Sequence, residues 1–281
     1  MTVALVTHPD CKLHDMGPEH PERPERLVAI NDQLIASGLE WLMQHFDAPK
    51  VSREQLLRVH DSDYIQTIFD MSPQQGRVQV DPDTSMNPYT LNAALYAAGA
   101  VVLGVDLVLR GDIDDVFCSI RPPGHHAEHN RAMGFCFFNN IAVATAHALT
   151  EYNLDRVAIV DFDVHHGNGT EDIFRNHPKV LFCSSFQYPL FPYSGSSSTS
   201  ENIIYAPLAL DCGSDGFRKA IKDNWLPALN AFQPQLILCS AGFDGHREDE
   251  MSHVGLNESD YLWVTQQIKN IANKYAKGRI V

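Results

Sequence analysis

The 281-residue chain is acidic, with 35 Asp and Glu against 21 Lys and Arg and a formal charge of −14. It has no Lys/Arg stripe, which argues against direct nucleic-acid binding. No basic leader followed by a long apolar stretch opens the chain, and no window approaches the roughly twenty apolar residues that span a bilayer, so a cytoplasmic protein without a membrane partner is expected.

Apolar, β-branched runs begin at residues 3–6 and recur at 116–120, 157–160, 180–186, 203–208 and 236–243, with a last one starting at Arg279. Between the first two, Leu91, Leu95, Ala98, Val102, Val105 and Leu109 keep helical spacing. Near the end, Val264, Ile268, Ile271 and Tyr275 do the same, with Asn257 or Ser259 as N-cap and Gly278 as the stop. Strand and helix alternate throughout, which predicts a doubly wound parallel α/β sheet in one domain over residues 1–281. The serine-rich segment 194–202 reads as a surface loop or a rim near a site. Six cysteines, Cys11, Cys118, Cys136, Cys183, Cys212 and Cys239, form no CxxC pair and read as reduced core residues. GxGxxG and GxxxxGK[ST] are both absent, so dinucleotide and P-loop chemistry have no support.

Three polar clusters follow apolar runs. In "VAIVDFDVHHGNGT" (157–170), strand alternation would put Asp161, Asp163 and His165 on one side and Phe162 and Val164 on the other. Ligands in open α/β sheets gather at the carboxyl ends of strands, where this cluster lies. Its bland alternative is a buried hydrogen-bonded network that holds the loop. Asp244, within "SAGFDGH", ends the 236–243 run in the same way, although Gly-Phe-Asp-Gly also makes a good turn. If the two strands are neighbours, Asp163, His165 and Asp244 converge as an O, N, O set that suits zinc, Fe²⁺ or another divalent metal with coordination positions left open. The third cluster is the adjacent pair His125 and His126 in "RPPGHHAEHNRAMGFCFFNN", a candidate general base with an electrostatic neighbour. Asp161 and Asn168 are candidates to orient those imidazoles.

"HPERPERL", "RPPGHHAEHNRAMGFCFFNN", "VDFDVHHGNGT" and "SAGFDGHREDEM" together resemble the zinc-dependent histone deacetylases, of the class II-like branch that includes bacterial deacetylase-like amidohydrolases. The resemblance implies the arginase/deacetylase α/β fold, an eight-stranded parallel sheet with helices on both faces, and hydrolysis of an Nε-acyl-lysine amide with release of acetate or a related acid. It implies zinc on Asp163, His165 and Asp244, and His126 as base and then acid with His125 beside it. Asp161 matches the partner of His125, and Asn168 stands at the position that pairs with His126. Gly134, Phe135, Phe191 and Met251 match substrate-tunnel positions. Asp161, Asp163, His165 and Ser184 match a structural potassium site, and Arg26 matches an arginine that lines an inner cavity, its plain alternative being a surface charge at a helix N-terminus. Met251, with Glu250 before it, stands where acetylpolyamine-preferring members carry an acidic gatekeeper, which favours an acylated lysine peptide or protein over a small acylated amine. The family's Gly-Gly-Tyr turn, expected just after the strand at Arg279, is not in the chain, which is therefore expected to lack a C-terminal segment. A non-catalytic acyl-lysine- or metal-binding protein is the alternative of another class.

Overall fold

The structure, a computed structural model, describes residues 2–195 and 200–281. Of the serine-rich segment, residues 196–199 lie outside the described residues. The chain forms two compact units, Met1–Tyr152 with Val281, and Asn153–Ile280.

In the first unit, β1 (Val3–Thr7) is followed by α1 (Glu25–Ala36), β2 (Met43–Asp47), α2 (Arg53–Leu56) and α3 (Ser62–Met71). An antiparallel pair, β3 (Val78–Asp81) and β4 (Thr84–Met86), precedes α4 (Thr90–Arg110), β5 (Asp115–Cys118) and α5 (Asn140–Glu151). The parallel sheet runs β2-β1-β5, with Val3 in register with both Met43 and Asp115. β2 escapes the sequence reading because, as an edge strand, it is nowhere buried and carries no apolar run. α4 corrects the expectation that no stretch is long and apolar enough to cross a bilayer. Its mean hydropathy reaches 1.8 over a window that is 67% buried, as in a core helix.

Arg26 lies in the first turn of α1 with its side chain 49% exposed, paired with Glu22 at 3.4 Å, which is the helix-surface alternative and not a cavity lining. The buried guanidinium is that of Arg121, 1% exposed. It grips the Glu22 carboxylate through Nε and Nη2, and Nη1 donates to the Cys11 and His14 carbonyls, both at 3.0 Å. Arg suits such a site because its planar fork meets a carboxylate with two parallel hydrogen bonds.

In the second unit, β6 (Val157–Asp161), α6 (Asn168–Phe174), β7 (Val180–Gln187), β8 (Ile203–Leu208), α7 (Gly213–Ala220), α8 (Leu226–Phe232), β9 (Leu236–Ser240) and α9 (Glu258–Tyr275) follow in order. The sheet is wholly parallel, in the order β8-β7-β6-β9. Ala158, Val160, Leu181, Cys183 and Ile237 point into a core with Trp225, Val264 and Ile268. Asn257 caps α9 in a reciprocal box with Asp260, and Gly278, at φ +84°, stands beyond its end as expected. Among the described residues, three parallel strands lie in the first unit and four in the second. The run at Arg279 contributes a single parallel bridge, Ile280 to Ile237.

Burial alone would raise the Glu22 pKa, but hydrogen bonds from His14 and Arg121 outweigh it and hold the carboxyl near 2, against an ordinary 4.5. A folded value below the unfolded one stabilises fully above about pH 4.5 and is lost as pH falls toward 2, a contribution of about 3 kcal/mol. Thermal unfolding of Glu22→Gln should start from a lower Tm at pH 7 and lose less Tm than the parent between pH 4.5 and 2.

Candidate metal centre and histidine loop

β6 is an inner strand of the second unit, paired with β7 and β9 and buried at every residue. Hydrogen-bonded strand ends at Asp161, but its alternation persists. Phe162 and Val164 continue the row of Ala158 and Val160 into the core, while Asp163 and His165 fall on the opposite side. The sequence reading extended the strand itself through His165; the chain instead leaves the ladder four residues earlier. β9 likewise stops at Ser240, earlier than expected, and Asp244 follows four residues later.

One ligand atom from each of Asp163, His165 and Asp244 lies within 4.8 Å of the other two. His165 Nδ1 is 3.0 Å from Asp163 Oδ1 and 2.9 Å from Asp244 Oδ2. Three successive amides steady the carboxylates: Asp163 N–H donates to Asp161 Oδ1 at 3.1 Å, Val164 N–H to Asp244 Oδ1 at 3.0 Å, and His165 N–H to Asp163 Oδ1 at 2.8 Å. Burial would lower the His165 pKa, but hydrogen bonds to both carboxylates raise it to about 10. Burial and the neighbouring Asp163 charge raise Asp244 to about 6, against the opposing pull of His165. Two anionic oxygens and one imidazole nitrogen this close fit a divalent cation, whose charge would relieve the repulsion that a proton on His165 relieves only in part.

Gly242, whose role sequence reasoning missed, makes this geometry possible. A Cβ there would overlap the Asp163 side chain and backbone. Its one sequence signal is its place two residues before Asp244.

Asp161 is fully buried and in register with Ser184 and Ser240 on the flanking strands. Ser184 Oγ is 3.0 Å from His166 Nδ1, and His166 Nε2 is 2.6 Å from Glu171 Oε2, which also accepts from the Tyr205 hydroxyl at 2.6 Å. Asn168 opens α6, its amide donating to the His166 carbonyl at 2.8 Å. The Phe191 ring lies 6.3 Å from that of His165. Met251 sits half-buried in a turn, its amide donating to Asp249 Oδ1 at 2.8 Å.

His125 and His126 lie in the irregular segment of the first unit between Arg121 and Asn139, both buried, with ring centroids 4.0 Å apart. Gly134, at φ +56°, packs against the His126 ring so closely that any Cβ would overlap it. Phe135 follows at φ +69°, its amide donating to Thr84 Oγ1 and its ring 4.6 Å from that of His20. Gly134 thus backs the base candidate directly.

The first unit thus carries a paired-histidine loop, and the second a carboxylate–imidazole set that could hold a metal ion. The model of the histone deacetylase domain matches residues 20–281. The chain belongs to the histone deacetylase family. It is 36% identical over 269 residues to a histone deacetylase-like amidohydrolase of Pseudomonas aeruginosa, covering 93% of this chain and 70% of that protein. It is 33% identical over 309 residues to a rat protein named polyamine deacetylase HDAC10, covering all of this chain and half of that one. Among solved structures, the HD domain of HDA15 superposes with a TM-score of 0.92 at 30% identity, covering all of this chain and 83% of that one. That likeness gives the chain the arginase/deacetylase fold.

Asp244→Ala should abolish retention of a divalent metal through desalting. Gly242→Ala, which removes no ligand, should weaken metal affinity by about 10- to 100-fold, the effect typical of disturbing a ligand's support. Elemental analysis of desalted Asp244→Ala and chelator competition with Gly242→Ala check these, and full occupancy in Asp244→Ala would refute the set.

Proposed function

We propose that the chain hydrolyses the amide of an Nε-acyl-lysine in a peptide or protein, releasing acetate or a related acid, with zinc as the divalent metal. The observation that carries this reading is the two-carboxylate, one-imidazole set of Asp163, His165 and Asp244 in a chain of this family. When bound there, such an ion supplies Lewis acidity toward the amide carbonyl and acidifies water. His126 takes the proton of the attacking water and returns it to the leaving amine. His125 tunes His126 electrostatically, and Asp161 and Asn168 hold the imidazoles by hydrogen bonds. Gly134, Phe135, Phe191 and Met251 flank the aliphatic stem of the acyl-lysine. Asp161, Asp163, His165 and Ser184 hold a potassium ion, and the register pairing of Asp161 with Ser184 supports that grouping.

A second reading, deacetylation of small acylpolyamines, is favoured by the rat relative's name and by Glu250 beside Met251. Hydrolysis of a fluorogenic acetyl-lysine peptide and of N-acetylputrescine, each with and without chelator, separates the two. Chelator-sensitive turnover of the peptide is expected to dominate, and activity on neither substrate would overturn the proposal.

His126→Ala should keep its metal and lose about 10²- to 10⁴-fold in kcat, with His125→Ala less damaging. The reverse order of damage, with metal content unchanged, would exchange their roles. Met251→Glu should shift relative kcat/KM toward acetylpolyamines by about 1 to 3 kcal/mol, the scale of one charge-assisted contact. Unchanged selectivity would place the gatekeeper elsewhere.

A further inference from the structure

The segment from Arg121 to Asn139 carries the two histidines but little regular structure, so its buried carbonyls need partners from outside the segment or from side chains. Two of those partners come from the start of α5. Asn140 Nδ2 donates to the Pro122 carbonyl at 3.1 Å. Asn139 does two things at once: Oδ1 caps α5 by accepting from Ala142 N–H at 3.0 Å, and Nδ2 donates to the Ala127 carbonyl at 3.1 Å. Ala127 is the residue directly after His126.

One side chain ties both ends of this arrangement together. His60, 3% exposed in the chain between α2 and α3, has Nδ1 3.0 Å from the Glu128 carbonyl and Nε2 2.9 Å from the Asn139 amide nitrogen. An amide N–H only donates and a carbonyl only accepts, so Nε2 must be the acceptor and Nδ1 must carry the hydrogen. A second proton on the ring would set Nε2–H against the Asn139 N–H. The surroundings agree: burial holds the His60 pKa down near 4. The groups facing the ring are the backbone of Glu128 and His129, the His129 side chain, whose positive charge also lowers the pKa, the adjacent Asp61, which raises it, and the Tyr64 and Phe138 rings at 5.4 and 5.7 Å. The neighbouring Asp61 amide donates to the His129 carbonyl at 3.0 Å, which extends the same seam.

We infer that His60 is a positioning residue for the proposed base: its Nδ1–H neutral imidazole joins the Glu128 carbonyl, two residues beyond His126, to the amide of the α5 cap, and so fixes where the His126 ring stands. This rests on the assignment of His126 as the base. Gly134 limits the ring from one side, while His60 and Asn139 fix the backbone that carries it. Both hydrogen bonds of His60 go to the main chain, and it acts through that.

The test uses the full chain, metal-loaded, with turnover of the acetyl-lysine peptide normalised to bound metal, and ¹⁵N-histidine spectra of the same samples. In the parent, His60 should show the Nδ1–H tautomer without change between pH 8 and 5. His60→Leu should lower kcat by about 10- to 100-fold, the range for displacing a catalytic group by a fraction of its working tolerance, with KM within about twofold. It should also move the ring signals of His125 and His126. His60→Gln, which keeps one donor and one acceptor, should recover most of the loss. Asn139→Asp retains the helix-cap acceptor but removes the donor to Ala127, and it should reproduce the kcat defect in a folded protein even if His60→Leu fails to fold. If His60→Leu or Asn139→Asp lowers Tm but leaves kcat and both ring signals unchanged, the residues are structural only and the inference is wrong. A parent without activity on the peptide would refute the proposed function, and the ring signals would still decide the role of His60.

Discussion

β6 is hydrogen-bonded along both edges and buried on both faces, so its polar residues can emerge only at its carboxyl end. Parallel strands carry all their carboxyl ends to the same side of the sheet, and the chain segments that leave β6 and β9 therefore begin as neighbours. The period-2 habit of β6 survives past its last ladder bond because Phe162 and Val164 still have core to fill. Packing of those two side chains turns Asp163 and His165 to the other side. The placing of Asp163 and His165 is thus a consequence of hydrophobic packing one residue away from each.

Concentrating two carboxylates in a partly buried site is unfavourable unless something answers their charge. Two backbone amides do so in part, and the imidazole between the carboxylates does more, which is why its proton affinity is raised while Asp244 is pushed toward neutrality. A divalent cation answers the same charge more completely. Gly242 is the steric complement of this electrostatic arrangement, since the chain leading to Asp244 passes so close to Asp163 that no side chain fits.

The first unit solves a different problem. Its histidine segment has little regular structure to satisfy its backbone, and side chains take over that role: His60, Asn139 and Asn140 bind carbonyls along the segment, while Arg121 at its start clasps Glu22 and the carbonyls of Cys11 and His14. Each of these polar side chains is buried, and each is matched to partners of the right donor or acceptor sense. Such a loop is rigid without being regular, which is the condition a positioned base requires.

Local rules made much of this legible in the sequence. Alternation separated Asp163 and His165 from Phe162 and Val164, the spacing of Val264, Ile268 and Ile271 with Asn257 ahead of it marked α9 and its cap, and four motifs in order carried the family resemblance, because each depends on residues within a few positions of one another. Long-range choices were not legible. β2 carries no apolar signature because one edge and much of its surface remain open, and α4 passed unnoticed as a helix of membrane-spanning length because only its packed setting marks it as core. Arg26 and Arg121 both sit in motif-rich stretches, and only the folded chain reveals that Arg121 is the buried one, since the choice depends on which guanidinium reaches Glu22 and the carbonyls of Cys11 and His14 together. A lone histidine at position 60 gave no sign of its two backbone bonds. Which residues carry chemistry is written in short-range spacing, whereas which side chains hold them in place is decided by contacts between residues tens of positions apart, and these exist only once the core has closed.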